Sequence, residues 1–404
     1  MSWDKIAFSE LVEFPPKISL EKDELYDNIP MDVVDGGIKY VQEINQRVYT
    51  GGGAKFANGD TIFARITPCL ENGKIAKVKG LEKEVGFGST EFFVFRAKEN
   101  ISDPDFIYYL AKTDLVRQPA IKSMVGASGR QRADKGVVEQ IKVPNIPFYT
   151  QLKIASILST YDDLIETNLK RIKLLEEKAN LHYKELMQEL SYTKTKREEY
   201  IKDCLAFYIG GGWGEEDYKE GFTEPAFVIR GTDIPDSKKG EVRGVPFRYH
   251  KESNLTSRSM IAGDIVFEVS GGSKGQPVGR SILVTDKMLH QFGKPVMCAS
   301  FCKMLRPNEN VTPEFFYLYL LASHVNGVIA QYEKHSASNI VNYGFEEFIG
   351  EQKITIPKET DLKAFTEKVK PIFTLISILG EQNSKLREAR DILLPRLISG
   401  QIEV

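Results

Sequence analysis

Cysteine is scarce: four residues in 404. That is too few for a disulfide framework, and the chain is expected in a reducing compartment, the cytoplasm. Long apolar runs are missing too. No stretch reaches 18 apolar residues, which excludes a membrane-spanning helix. Met1-Ser2-Trp3-Asp4-Lys5 lacks the apolar core of a signal peptide, so no secretory leader is expected. Neither sign of charge dominates, with 54 Lys and Arg against 56 Asp and Glu and a sequence pI near 6.3. A uniformly basic nucleic-acid binder is excluded, while local basic patches stay open. The phosphate-binding pattern Gly-x-x-x-x-Gly-Lys-Ser/Thr is absent, since Gly271-Gly272-Ser273-Lys274-Gly275 has the wrong spacing and reads as a loop. No Gly-x-Gly-x-x-Gly follows a strand. Cys298 and Cys302, read on one extended run, would stand about 13 Å apart, too wide to share a zinc ion. No metal site and no catalytic residue are expected.

Glycine and proline are also missing from residues 148–196. There Ile154, Leu158, Tyr161, Ile165, Asn168, Ile172, Leu175, Ala179, His182 and Leu186 recur at alternating steps of 4 and 3, with charges on most other faces. This is a heptad seam. It predicts a helix over residues 148–197, about 65–70 Å long at 1.5 Å per residue. Its narrow apolar stripe must find another helix to cover it. Phe365, Val369, Ile372, Ile376, Leu379, Asn383, Leu386, Arg390, Leu393 and Leu397 repeat the same steps 211 residues further on, predicting a second helix over 359–404. Pro371 is tolerable near its first turns, and Pro395 is expected to bend or end it. Laid antiparallel with Ile154 beside Leu397, the seams put Ile172 opposite Leu379, Tyr161 opposite Arg390 and Asn168 opposite Asn383. Two facing amides can satisfy each other, so Asn168 and Asn383 are expected to set the register. The Arg390 guanidinium can lie on the Tyr161 ring. His182 reads as an ordinary interface residue.

Before the first helix, residues 1–147 read as a mixed α/β domain. Short β-like runs (Gly59 to Ile66, Lys74 to Val78, Glu91 to Arg96) precede a helix opened by Pro104, a polar loop at 126–132 and a strand ending at Pro144. Residues 198–358 repeat this grammar. Gly263-Asp264-Ile265-Val266-Phe267 answers Gly59-Asp60-Thr61-Ile62-Phe63, and the run 298–306 answers the strand ending at Arg96. Pro313 opens the second helix, the stretch 336–342 stands where the 126–132 loop stood, and Gln352 to Pro357 leads into the last helix. Asp60 and Asp264 each follow a Gly, so a shared turn explains them better than acid–base work. The layout is domain, rod, domain, rod. With two copies of about 210 residues, it implies pseudo-two-fold symmetry.

The chain resembles the specificity subunit of a type I restriction-modification system. The resemblance rests on Val143-Pro144-Asn145-Ile146-Pro147 and 151–158 before the first rod, on Arg390-Asp391-Ile392-Leu393-Leu394-Pro395-Arg396-Leu397-Ile398-Ser399-Gly400 in the second, and on the start from Trp3 to Val12. It implies an α+β chain of two pseudo-two-fold-related target-recognition domains joined by two long antiparallel coiled-coil helices. Each domain would read one half of a bipartite site in double-stranded DNA. The helices would set the spacer and carry two modification (methyltransferase) subunits, with restriction subunits joining through the complex. The chain itself would be non-catalytic. Adenine methylation and site-specific cleavage, with S-adenosylmethionine, ATP and Mg, would belong to the partner subunits.

DNA contact would then come from donors scattered over loops. In the first domain these are Arg65, Lys74, Lys77, Arg130, Arg132 and Lys135; in the second, Arg243, Arg248, Arg258, Lys274, Arg280, Asn339 and Asn342. Arg and Lys can hold phosphate or a guanine edge, and Asn can pair with adenine. Each alone is better explained as a solvated surface group. The pairs Arg130/Arg132 and Asn339/Asn342 stand out because they share the matched loop. Two rival readings stay open: a coiled-coil scaffold whose domains bind protein, and a fused enzyme, which the missing nucleotide motifs disfavour.

Overall fold

The two seams form the helices Phe148–Tyr192 and Glu359–Ile398. The structure, a computed structural model, describes residues 3–127, 129–193, 196–271, 278–335 and 341–404. Pro395 does not end the second helix, and Pro371 also lies inside it. Both are exposed, so the carbonyl that each leaves unpaired one turn earlier lies on the wet side. The helix stops at Ile398, with Gly400 at φ +72° and its N–H donating to the Leu397 carbonyl at 3.2 Å.

Contacts divide the chain into two units, residues 1–167 with 385–404, and residues 168–384. Each unit contains one globular domain and a stretch of both long helices. In the first, a four-stranded antiparallel sheet runs Val12–Glu13, Phe92–Ala97, Thr61–Ala64, Ile75–Lys77. A second sheet runs Asn45–Val48, Leu25–Ile29, Val85–Gly88, Ala54–Ala57, and its middle pair is parallel. Lys5–Ala7 pairs with Lys142–Pro144. The helix Pro104–Lys112 starts where Asp103 accepts from Phe106 N at 2.8 Å, with Pro at the first helical position. It packs Phe106, Tyr108, Tyr109 and Leu110 against Ile154 and Leu158 of the central helix and Leu394, Leu397 and Ile398 of the C-terminal one.

The second unit repeats the plan. Its four-stranded sheet runs Leu205–Gly210, Cys302–Pro307, Ile265–Glu268, Ser281–Leu283. Its other sheet again contains one parallel pair, Glu224–Ile229 with Val296–Cys298, and Arg197–Tyr200 pairs with Lys353–Ile356. One buried clasp appears in both units. Asp60 accepts from Ala57 N (2.8 Å) and takes a two-pronged bond from Arg96 (2.8 and 2.7 Å). Asp264 does the same with Ile261 N (2.7 Å) and Arg306 (2.7 and 2.8 Å). These carboxylates hold a turn to the neighbouring strand and are shut off from solvent.

Within each unit the long helices run antiparallel, and polar pairs mark their contact. In the second unit Asn168 Nδ2 donates to Asn383 Oδ1 at 3.0 Å, with both residues buried. The bond is single, not reciprocal: Asn383 Nδ2 is buried without a partner. Past Ala179 the buried place falls to Tyr183, while His182 sits half-exposed 3.2 Å from Glu185. Gly380 lets the helix backbone meet Gly240, since a Cβ there would stand 2.3 Å from the Gly240 carbonyl carbon.

In the first unit Arg390 does not lie on Tyr161 but pairs with Asp162, the neighbour one residue along, and with Asp391 (2.9 Å). A buried guanidinium gains more from a full negative charge than from a ring quadrupole. Burial opposes the charge on Arg390, yet Asp162 and its other neighbours outweigh this and raise its pKa. Asp162 also accepts from Tyr109 Oη (2.6 Å), tying the domain to the helix.

The amide pair generates a double-mutant test. Asn168→Leu and Asn383→Leu each leave one buried amide without its partner, an expected loss of about 1–3 kcal/mol. The double variant should recover much of it in urea unfolding, whereas additive losses would show that the amides do not act as a pair.

Candidate nucleic-acid interface

In the first domain one hairpin gathers three of the arginines picked from sequence. Val125 and Arg132 bridge each other across the turn, and Arg132 also bridges Ile66 at the end of the Thr61–Ala64 strand. Thr67 N donates to the Gln131 carbonyl (3.0 Å) and Ala133 N to the Arg65 carbonyl (2.8 Å). Gly126 at φ +129° and Gly129 at φ +77° make the turn possible, in a region where residues with a Cβ are strained. Arg65, Arg130 and Arg132 are thereby brought side by side. Arg65 stacks on Phe93 at 4.7 Å, and its buried Nε has no hydrogen-bond partner. Arg130 is exposed. Arg132 grips Glu91 through Nε (2.9 Å) and Nη2 (2.7 Å) and remains 45% exposed. The Glu91 hydrogen bond raises the Arg132 pKa, so this guanidinium is cationic at any physiological pH.

The other candidates of this domain divide. Lys135 is exposed, 3.2 Å from Glu139 and over the Phe14 ring. Lys74 is drawn inward to the Met31 carbonyl (2.8 Å). Lys77 is buried and paired with Asp105, which also holds buried Lys39 at 2.7 Å. Burial lowers the Lys77 pKa. This lysine supports the domain interior and cannot reach a groove without breaking that cluster.

In the second domain the equivalent hairpin pairs Glu333–His335 with Val341–Tyr343, and Asn342 bridges Ser270 as Arg132 bridges Ile66. Tyr343 N donates to the Val269 carbonyl (3.1 Å), matching Ala133 and Arg65. Asn342 thus occupies the backbone position of Arg132. Asn339 and Lys274 lie outside the described residues. Arg280 is taken up by buried Glu268 (2.8 and 2.6 Å). Arg258 donates to the Gly210 carbonyl (3.0 Å) and to Asn254 (3.2 Å). Arg248 stacks on Trp213 at 4.7 Å and pairs with Glu216 at 2.8 Å, while Arg243 is exposed. So the arginines of this domain mostly hold its own loops in place.

Cys298 and Cys302 do not share a strand as expected. The chain turns between them, with Cys302 N donating to the Ala299 carbonyl (2.8 Å), and they fall on two different strands. Burial pushes the Cys298 thiol up to about 12 and raises Cys302 well above its usual value, which disfavours the thiolate a metal needs. Among the described residues no group of three His, Cys, Asp or Glu is placed to hold a metal ion, and no helix is long and apolar enough to cross a membrane.

The stretch of chain that contains the first hairpin has a counterpart among known domains. Residues 2–177 match the type I restriction modification DNA specificity domain. The chain resembles this family over that stretch, a little under half of its length. Over 175 residues it is 27% identical to the type I restriction enzyme EcoAI specificity subunit of Escherichia coli, covering 41% of this chain and 30% of that one. It is 23% identical over 341 residues to the MjaVIII specificity subunit of Methanocaldococcus jannaschii, covering 79% and 75%. A solved S subunit of a type I restriction-modification system from M. genitalium aligns with 98% of this chain and 95% of its own at 15% identity and a TM-score of 0.49.

Glu91 and Phe93, which hold Arg132 and Arg65, were not singled out from sequence. Their only signal is their place at the start of the Glu91-Phe92-Phe93 run. Which arginine they meet depends on a strand register that the run does not encode. The burial of the thiols has a direct consequence. Iodoacetamide at pH 8 should modify the partly exposed Cys69 first, with Cys204, Cys298 and Cys302 reacting only after unfolding. Mass spectrometry over time reads the order, and early labelling of Cys298 would contradict the packing described.

Proposed function

We propose that this chain is the sequence-specific DNA-binding subunit of a type I restriction-modification complex. Each globular domain reads one half of a bipartite site in double-stranded DNA, and the helices set the spacer and hold two methyltransferase subunits. The observation that carries the reading is the repeat. The order of the clasp-bearing sheet, the parallel pair, the Asp–Arg clasp and the seated hairpin recur in the second unit, and the first unit contains most of the stretch that matches the DNA specificity domain. A fold repeated in one chain offers two reading heads, which suits a split site.

The chain is non-catalytic in this reading. Adenine methylation and site-specific cleavage, with S-adenosylmethionine, ATP and Mg, belong to the methyltransferase and restriction subunits, and the complex works in the cytoplasm. Half-sites about one helical turn apart, roughly 34 Å, suit paired reading heads. DNA contact in the first domain falls to the hairpin with Arg130 and Arg132, seated on Arg65, and to Lys135. In the second, Arg243 and the hairpin with Asn342 are the foremost candidates.

Two experiments test this. Replacing residues 1–146 by the corresponding domain of another family member should change one half of the methylated sequence and leave the other intact, read by methylome sequencing of cells carrying the system. A change in both halves would refute one domain per half-site. If the chain with its methyltransferase partner fails to shift any duplex in a gel, the domains bind protein and the chain is a scaffold.

The helices as ruler make a separate prediction. A seven-residue insertion in the central helix alone keeps its seam in phase but lengthens one rod. The spacer should change, or binding should be lost. Unaltered spacer and affinity would remove the helices from that role.

A further inference from the structure

Arg132 is held in a way that a plain surface ion pair does not need. A guanidinium carries five N–H donors. Glu91 takes the Nε donor at 2.9 Å and one Nη2 donor at 2.7 Å, a side-on two-pronged bond. The Arg130 carbonyl takes one Nη1 donor in a long contact of 3.4 Å. One N–H on Nη1 and one on Nη2 are left, at the far end of the fork. Those two point the same way from a plane already fixed by its partners. The Arg132 side chain is 45% exposed while Glu91 is only 21% exposed.

We infer that Arg132 reads a guanine in the half-site of the first domain, end-on through its Nη1 and Nη2 donors, with Glu91 as the residue that positions it. The inference rests on the DNA-binding reading above. Guanine presents two acceptors, N7 and O6, on its major-groove edge, and the parallel donors of an arginine fork match them; no other base offers two adjacent acceptors there. A phosphate-binding arginine gains nothing from a carboxylate that cancels part of its charge. A base-reading one gains a fixed plane, because fewer rotamers remain to be frozen when the contact forms. The neighbours divide the work. Arg130, exposed two residues away, is free to approach the phosphates. Arg65, flat on Phe93, packs the floor beneath the hairpin.

The complex with its methyltransferase subunits provides the test. With the wild-type site known from methylome sequencing, Arg132→Ala should let other bases replace one guanine of the first half-site and weaken binding to the intact site by roughly 10- to 100-fold. The second half-site should stay unchanged. Glu91→Ala should relax the same single position while leaving the slope of affinity against salt as in the wild type, because no phosphate contact is lost. Glu91→Asp should restore part of the discrimination, which a merely structural role at the strand start would not require. Melting of each variant near the wild-type temperature establishes that the fold survives. The inference is overturned if the first half-site contains no guanine. It is equally overturned if Arg132→Ala weakens all sequences alike and lowers the salt slope by about one, the signature of a phosphate contact. Absence of any site-specific binding by the wild-type complex would instead sink the DNA-binding reading itself.

Discussion

A helix with an apolar stripe only two residues wide per heptad cannot stand alone in water. That constraint shapes both units. In each, a stretch of the central helix and a stretch of the C-terminal helix cover one another, and the globular domain closes over their remaining apolar side. The contact is continuous with the domain cores. Tyr183 of the central helix and Phe365 of the C-terminal helix both pack on Phe315 of the second domain. Ile154 and Leu397 share a core with the Pro104–Lys112 helix of the first. A domain in this chain is therefore completed by the rods, which is why compact units cut across both helices rather than at their ends.

The two helix contacts are built from different chemistry. In the first unit Arg390, Asp162 and Tyr109 form a buried charged network, next to Lys39, Asp105 and Lys77. In the second, the positions 211 residues from Asp162 and Arg390 are Phe373 and Ala179, both packed in the apolar core. Charged partners demand a fixed geometry, because an unpaired buried charge costs several kcal/mol. Apolar partners tolerate more. The duplicated plan thus has a charged joint in the first unit and, in the second, an apolar one that contains the Asn168–Asn383 amide bond.

Several cations of the chain serve the fold. Arg96 and Arg306 hold turns, Arg280 holds Glu268, and Lys77 neutralises Asp105. What distinguishes Arg130 and Arg132 is not residue type but the hairpin, which leaves both exposed even though Arg132 also grips Glu91. With a net charge of −2, the chain carries positive charge as local features rather than as an overall field.

The sequence by itself determined the two helices, the duplication, the α+β class and the alignment of Asn168 with Asn383. Each follows from a pattern with a fixed period, and periodicity survives without any knowledge of neighbours. Tertiary structure decided what periodicity does not encode. It chose Asp162 over Tyr161 for Arg390, because a side chain one residue off the seam can still reach across it. It put Tyr183 in the buried place expected of His182. It carried the helix through Pro395, whose exposed side lets water satisfy the missing bond. It separated Cys298 from Cys302 by a turn that β-propensity alone did not reveal. Above all, it sorted the basic residues. Whether a lysine or arginine meets solvent, a buried carboxylate or a strand carbonyl depends on partners far away in the chain, such as Glu91 for Arg132 and Asp105 for Lys77. Only the fold brings those partners within reach.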